Sequence, residues 1–481
     1  MYGDYEAQRH WMETTTNLPL KQWLGKRQKV YVNGSENDLL YWGLDYPPLT
    51  AYHAYLCGHI SALINPQWTA LGSSRGVESM EHKYFMRMTA LISDLLVYFP
   101  AALALVLFIQ KPRSSVDEKC IFLALHLLYP GHLLIDHGHF QYNSVSLGLA
   151  LLGMVGVCRG WLGLGAVAFS AALNFKQMEL YHALPFFVAL LREAFSAPTL
   201  SRALLKLVWI GLCTLGTFGL IWLPFLDSLE TASHVLHRIF PVARGIFEDK
   251  VANVWCILSP VFKWKSLFSH AQMLQISLAT TLLAVAPGFC MALFGRRSRE
   301  VFQLHLFSSA LSFFLFSFQV HEKSILLVAL PALVLLAEEE HRLGAVWFLH
   351  ISVLRQDRLK TLQLMSWVYC FGLVSMFPLF VKDGTTLAFH ALQFFYTVFT
   401  WRWLESRGSL SSPSTRILFA VSLMVGWGLC VCSELVPAPG RYPDLWPLLI
   451  SAFACAQFSG AWLGAQASLY AAAFPAKSKT A

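Results

Sequence analysis

Residues 272–299 read QMLQISLATTLLAVAPGFCMALFGRRSR, and this stretch decides the fold. From Gln272 to Gly295 no side chain is charged, and then Arg296, Arg297 and Arg299 follow at once. At about 1.5 Å of rise per residue such a helix is long enough for the roughly 30 Å of hydrocarbon in a bilayer, and its polar end stops where headgroups begin. The pattern recurs along the chain. Of its 481 residues 56% are hydrophobic and 13% charged, with a mean hydropathy of +0.50, against about 25% charged in soluble domains. One soluble core cannot absorb so many apolar runs, so lipid must solvate much of the surface. The sequence predicts an all-α, polytopic membrane protein.

Thirteen spans are read from the apolar runs: 88–110, 120–135, 144–158, 161–175, 178–192, 204–225, 272–295, 301–319, 324–337, 361–381, 386–403, 416–435 and 446–470. Lys and Arg in short loops favour the cytoplasmic side. They alternate here: Lys111, Arg113 and Lys119; Arg159; Arg192, Arg202 and Lys206; Arg296, Arg297 and Arg299; Arg407 and Arg416; Lys477 and Lys479. The other connections are then lumenal, and they include 1–87, 136–143, 174–177, 226–270, 319–323 and 436–445. Two parts result, a lumenal catalytic loop of short helices over 1–87 and a transmembrane helical part over 88–481 that includes the lumenal loop 226–270. The segment 338–360 fits neither pattern.

The net charge of +8 does not indicate nucleic acid, because the basic residues lie in loops on one side of the membrane and not on one face of a domain. Ten cysteines stand singly, without CxxC pairs or histidines at zinc spacing, and read as small apolar residues.

Polar clusters gather at the lumenal ends. Asp4, Glu6, Arg9 and His10 share one or two turns if Tyr5 begins a helix, and Trp42-Gly-Leu-Asp45-Tyr46-Pro47-Pro48 must bend at its prolines. Carboxylates beside Trp and Tyr offer what a sugar needs, acceptors for hydroxyls and apolar faces for the ring. Asp136-His137-Gly138-His139-Phe140-Gln141-Tyr142-Asn143 ends one span, and Asn174-Phe175-Lys176-Gln177 ends another. The 226–270 loop carries Arg244, and Gln319-Val320-His321-Glu322-Lys323 closes a further span. Polar groups beside a membrane are costly unless paired or functional. Singly, each has a plainer reading as a helix cap or interfacial anchor; Asp94, inside the first span, reads as a paired buried charge. Asp136, His137 and His139 form a weak metal pattern, and neither metal nor cofactor is expected.

The strings Gly3–Trp11 (GDYEAQRHW), Tyr41–Thr50 (YWGLDYPPLT), Asp136–Ser144 (DHGHFQYNS), His237–Cys256, Ser317–Lys323 (SFQVHEK) and Tyr442–Trp446 (YPDLW) resemble the dolichyl-phosphate-glucose-dependent glucosyltransferases of asparagine-linked glycosylation. That resemblance implies a GT-C membrane fold in the endoplasmic reticulum with a lumenal active site. It also implies a dolichyl phosphate glucose donor, a dolichyl-pyrophosphate oligosaccharide acceptor, and inverting transfer that forms an α-1,3 linkage. Gly138, Ser144 and Gln319 favour the member that adds the first glucose to the nine-mannose oligosaccharide over the one that adds the second. By similarity Asp4 is the catalytic base. Glu6, Arg9, His10, Trp42, Asp45, Tyr46, His137, His139, Gln141, Asn143 and Lys176 are candidates for substrate binding, and Arg244, His321 and Lys323 for the donor phosphate.

Family members carry a cytosolic segment and a span ahead of the GDYEAQRHW string, whereas here Met1 stands three residues before Asp4. The resemblance therefore implies that the family's first transmembrane helix is missing and that the chain alone is poorly active. A transporter of lipid-linked sugars is a competing reading. Transporters place polar groups near the bilayer midplane in repeated halves, and this sequence shows neither.

The orientation has a direct check. Asn33-Gly34-Ser35 is an N-glycosylation pattern in the expected lumenal loop. An Asn33→Cys variant in sealed microsomes should react with an impermeant thiol reagent only after the lumen is opened; reaction from the cytosolic side would reverse the topology.

Overall fold

The computed structural model describes residues 3–24, 41–109, 115–240, 250–336, 371–406 and 413–475. The described residues are helical, with no β-strand among them. Six of their helices are long and apolar enough to cross a bilayer: Met80–Phe108, Val116–Phe140, Leu200–Phe225, His270–Phe294, Arg416–Leu435 and Leu445–Ala473. The protein is a multi-pass membrane protein, and the expected all-α architecture holds.

The remaining spans take other forms. Those at 144–158 and 161–175 are Asn143–Arg159 and Leu162–Phe175, of 17 and 14 residues. That at 178–192 contains Ala183–Ala194, of 12 residues, about 18 Å of helix, and Ile325–Leu336, in the span at 324–337, runs to the edge of the described residues. Arg299–Phe316 and Thr386–Ser406 match 301–319 and 386–403. Residues 338–360 and 361–370 lie outside the described residues, and the rest of the span at 361–381 runs into the helix Phe377–Lys382.

Local chemistry sets the boundaries. The first apolar helix begins at Met80 and not at 88, because the Ser79 hydroxyl accepts the His82 N–H at 3.2 Å and caps two polar turns ahead of the apolar run. The run at 120–135 is not one α-helix. Val116–Leu127 ends before Pro130, and after Pro130–Leu133 the chain passes into a π-helical turn at Leu134–Phe140. A second π turn, Asp94–Tyr98, interrupts the Met80 helix. Such turns are rare and frequent at functional sites.

The chain divides into two compact units. The first comprises Met1–Leu105, His132–Leu180 and Ala194–Arg244. In it Asn143–Arg159 turns back into Leu162–Phe175 through Gly160, whose φ of 75° is a conformation that other residues adopt only with strain. Tyr5–Asn17 packs on Pro48–Ile64, and Trp11, Leu18, Trp23, Leu44, Ala51 and Phe225 are buried together. Pro47 and Pro48 stand where helix starts tolerate them, Pro48 as the first residue of its helix.

The second unit comprises Val106–Gly131, Tyr181–Glu193 and Gly245–Ala481. Its centre is Arg299–Phe316, buried along nearly its whole length against His270–Phe294, Ile325–Leu336 and Leu445–Ala473. The Trp462 indole N–H donates to Ser312 Oγ at 2.8 Å. Arg192 donates to the carbonyls of Ala292 and Gly295 at 2.5 and 2.6 Å, completing a helix end that would otherwise leave acceptors open.

Helix Tyr5–Asn17 is almost wholly buried although its composition is polar. Arg9 makes this tolerable: it donates to both oxygens of Glu6 at 2.7 and 2.8 Å, to Glu13 at 2.8 Å and to Ser74 at 2.5 Å. Burial alone would raise the Glu13 carboxyl, but hydrogen bonds from His10 and the Gly72 N–H, with the nearby positive charge, bring it from its ordinary 4.5 down to about 2. A carboxyl depressed on folding stabilises the fold above its unfolded value, and that contribution is lost as pH falls from about 4.5 towards 2. Replacing Arg9 by Met strands two buried carboxylates. It should cost about 3–5 kcal/mol, read as a large fall in unfolding temperature in detergent at pH 7; an unchanged temperature would show that the network holds nothing.

Candidate active site

Asp4 stands at the start of helix Tyr5–Asn17 but its side chain does not cap that helix, so the carboxylate is turned to other partners. Its N–H donates to the His139 carbonyl at 2.9 Å. One carboxylate oxygen lies 3.4 Å from His139 Nε2, and the other accepts the Gln141 side-chain N–H. Gly3 makes this approach possible. Its φ is 60°, and a Cβ there would overlap the His139 carbonyl oxygen. The amino-terminal segment is thereby laced to the π turn at Leu134–Phe140, and the Asp4 side chain stays 26% exposed.

Phe140 leaves the π turn at φ 75°, a conformation uncommon for a bulky residue and found where surrounding structure enforces it. Here Tyr5 and Tyr142 hold its ring at 5.4 and 5.6 Å between centroids. The reversal aims Gln141 and Asn143 at one point. Lys176 donates to Gln141 Oε1 at 3.2 Å and to Asn143 Oδ1, and its ammonium lies 5.3 Å from the centre of the Tyr46 ring. Gln8, Trp11, Tyr46, Thr50, Tyr142 and Phe175 complete the lining of this cleft. A part-open carboxylate, an ammonium, two carboxamides and aromatic faces thus occur in one place. That set can accept a proton, hold an anion and seat a sugar ring.

Asp136 is the buried anchor behind the cleft. It accepts the Asn143 side chain at 2.7 Å, the Ser144 N–H at 2.8 Å and His132 at 3.1 Å. Asp94 pairs with His137 at 2.7 Å. Asp94, His132 and Asp136 offer three ligand atoms within 4.8 Å of one another, but most of their acceptor oxygens are already engaged, and a cation would have to break those bonds.

The structure therefore brings Asp4, Tyr46, His139, Gln141, Asn143 and Lys176 together, with His137 one turn away. Glu6, Arg9 and His10 lie in the buried network of helix Tyr5–Asn17 described above. Trp42 has φ 49°, and its carbonyl accepts the Trp11 indole N–H at 2.9 Å. The Asp45 carbonyl accepts from Gln177 at 3.4 Å. Beside Asp45, burial lowers the Arg238 guanidinium to about 10 while the Asp45 charge opposes the shift. His321 and Lys323 belong to the second unit, at the turn Glu322–Ser324. Arg244 lies outside the described residues. The sequence reading did not select His132, Asp136, Arg238 or Thr50 as site residues. The His132–Asp136 spacing of four on a helix was the one available signal.

The chain belongs to the ALG6, ALG8 glycosyltransferase family, whose model matches residues 1–464. The dolichyl pyrophosphate Man9GlcNAc2 alpha-1,3-glucosyltransferase of Gallus gallus is 45% identical over 482 residues, 95% of this chain and 89% of that protein. The probable enzyme of that name in Drosophila melanogaster is 45% identical over 95% of this chain and 90% of its own length. The Saccharomyces cerevisiae enzyme is 38% identical over 96% and 85%.

Because the contact between Gly3 and His139 leaves no room for a methyl group, Gly3→Ala should displace Asp4 and lower glycosyl transfer by about 10²-fold, the loss that a misplacement of about 1 Å brings. Wild-type turnover in that variant would show that the lacing does not set the carboxylate.

Proposed function

We propose that this chain transfers glucose from dolichyl phosphate glucose to the terminal mannose of Man9GlcNAc2 dolichyl pyrophosphate, forming an α-1,3 linkage with inversion, on the lumenal side of the endoplasmic reticulum membrane. The observation that carries the reading is Asp4, part-exposed and held by Gln141 and His139 at a cleft lined by Trp11, Tyr46 and Lys176. The names of the relatives support the acceptor and the linkage, and favour the first glucose over the second.

In this reading residues 1–87 form the lumenal catalytic loop. Asp4 takes the proton of the mannose hydroxyl as the new C–O bond forms, while the bond from glucose C1 to the phosphate breaks on the opposite face, as an inverting reaction requires. Both electrons of that bond leave with dolichyl phosphate, a stable anion that needs positive charge more than a proton. The family resemblance makes Arg244, His321 and Lys323 the candidates to supply that charge. Trp42, Asp45, Tyr46, His137, His139, Gln141, Asn143 and Lys176 seat the sugars, and Glu6, Arg9 and His10 keep the base's helix rigid.

Transfer of labelled glucose from synthetic donor to purified acceptor tests this. Asp4→Asn should lower turnover by about 10²–10⁴-fold, the usual loss of general-base help, with donor binding retained. A near-normal rate would move the base to Asp45 or Glu6.

A further inference from the structure

Two carboxylates and two imidazoles meet inside the first unit, behind the cleft. Asp94 and Asp136 are 3% and 0% exposed. His132 Nε2 lies 3.1 Å from Asp136 Oδ2 and 3.8 Å from Asp94 Oδ1. Asp94 Oδ1 is fully buried and makes no hydrogen bond, so the group it faces is His132, while His137 occupies its other oxygen. Two desolvated carboxylates at such range repel strongly, and one would take up a proton unless a cation stood between them. His132 occupies that position.

The charge on Asp136 matters to the cleft. Its two oxygens receive three donors, from Asn143, Ser144 and His132; protonation would turn one oxygen into a donor and remove the charge that makes the Asn143 and Ser144 bonds roughly twice as strong as neutral ones. Asn143 is joined to Lys176 and Gln141, and Gln141 to Asp4. An unbroken chain of hydrogen bonds thus runs from His132 to the carboxylate at the cleft.

We propose that His132 is a positioning residue, a buried imidazolium shared by Asp94 and Asp136 that keeps Asp136 ionised and, through Asn143 and Gln141, holds Asp4 in place. Its effect on rate rests on Asp4 being the base. Its effect on charge balance does not.

The test compares glucose transfer per folded molecule, counted as monodisperse protein in detergent, for the full chain and for H132Q, D94N/H132Q and D4N. Loss of the cation in H132Q should cost about 10²-fold in kcat, the scale of a misplaced catalytic group. Removing one anion as well, in D94N/H132Q, should recover about tenfold or more of that loss, because the carboxamide that replaces the Asp94 carboxylate still accepts from His137 and only one carboxylate then remains. A merely structural histidine would change the folded fraction without this charge-compensated recovery. If H132Q does not fold, a folded double variant supports the proposal and an unfolded one overturns it. Wild-type kcat in H132Q, or a double variant no more active than H132Q, also overturns it. So does activity that is lost to a chelator and restored by a divalent cation, since the three residues would then ligate metal. A fully active D4N alongside the predicted loss and recovery would overturn both the base assignment and the route through Gln141 to Asp4 and leave only the charge sharing standing, while an inactive D4N with unaltered H132Q would keep the base and overturn the role of His132.

Discussion

The site depends on one backbone contact, the Asp4 N–H donated to the His139 carbonyl, which the geometry at Gly3 alone permits. It fixes the start of an otherwise polar helix against a π turn at the end of an apolar span. Asp4 meets Gln141 because the π turn and the left-handed Phe140 deliver Gln141 there, and Lys176 meets Gln141 and Asn143 because the preceding helix, Leu162–Phe175, ends beside them. A polar cluster next to hydrocarbon is costly unless its members satisfy one another. In the described residues these side chains do so, in a continuous set from Asp136 through Asn143 and Gln141 to Asp4.

Two kinds of polar burial serve different ends in the first unit. The Glu6–Arg9–Glu13 group is closed upon itself, with Ser74 and the Gly72 N–H completing its valences, and it gives rigidity to the helix that carries Asp4. The Asp94–His132–Asp136 group reaches the cleft through Asn143. Asp4 keeps part of its carboxylate open to solvent. The proposed role of Asp4 as base uses that open part of its carboxylate.

Much of this was legible in the sequence. Uncharged runs ended by arginines gave the membrane class, and the strings around Asp4, Asp136 and Lys176 marked the segments that meet. What stayed hidden was geometry that no composition encodes. Nothing in DHGHFQYNS announces a π turn or a left-handed Phe140, so 136–143 read as a loop although Asp136 is wholly buried. The helix over 80–87 was missed because Glu81, Lys83 and Arg87 interrupt its apolar residues, and the Ser79 cap starts it ahead of the uncharged run. His132 was absorbed into an apolar span; its partner Asp94 lies on a different helix, a separation that helix periodicity cannot bridge.

The central claim is that the Asp4 carboxylate receives the acceptor's proton. It is tested most directly by a cryo-electron microscopy structure of the chain with a non-transferable phosphonate analogue of dolichyl phosphate glucose and the Man9GlcNAc2 dolichyl pyrophosphate acceptor. The account predicts the terminal mannose 3-hydroxyl within about 2.6–3.2 Å of an Asp4 carboxylate oxygen, on the face of glucose C1 opposite the phosphonate. A hydroxyl placed against another carboxylate, with Asp4 out of hydrogen-bond reach, would contradict it.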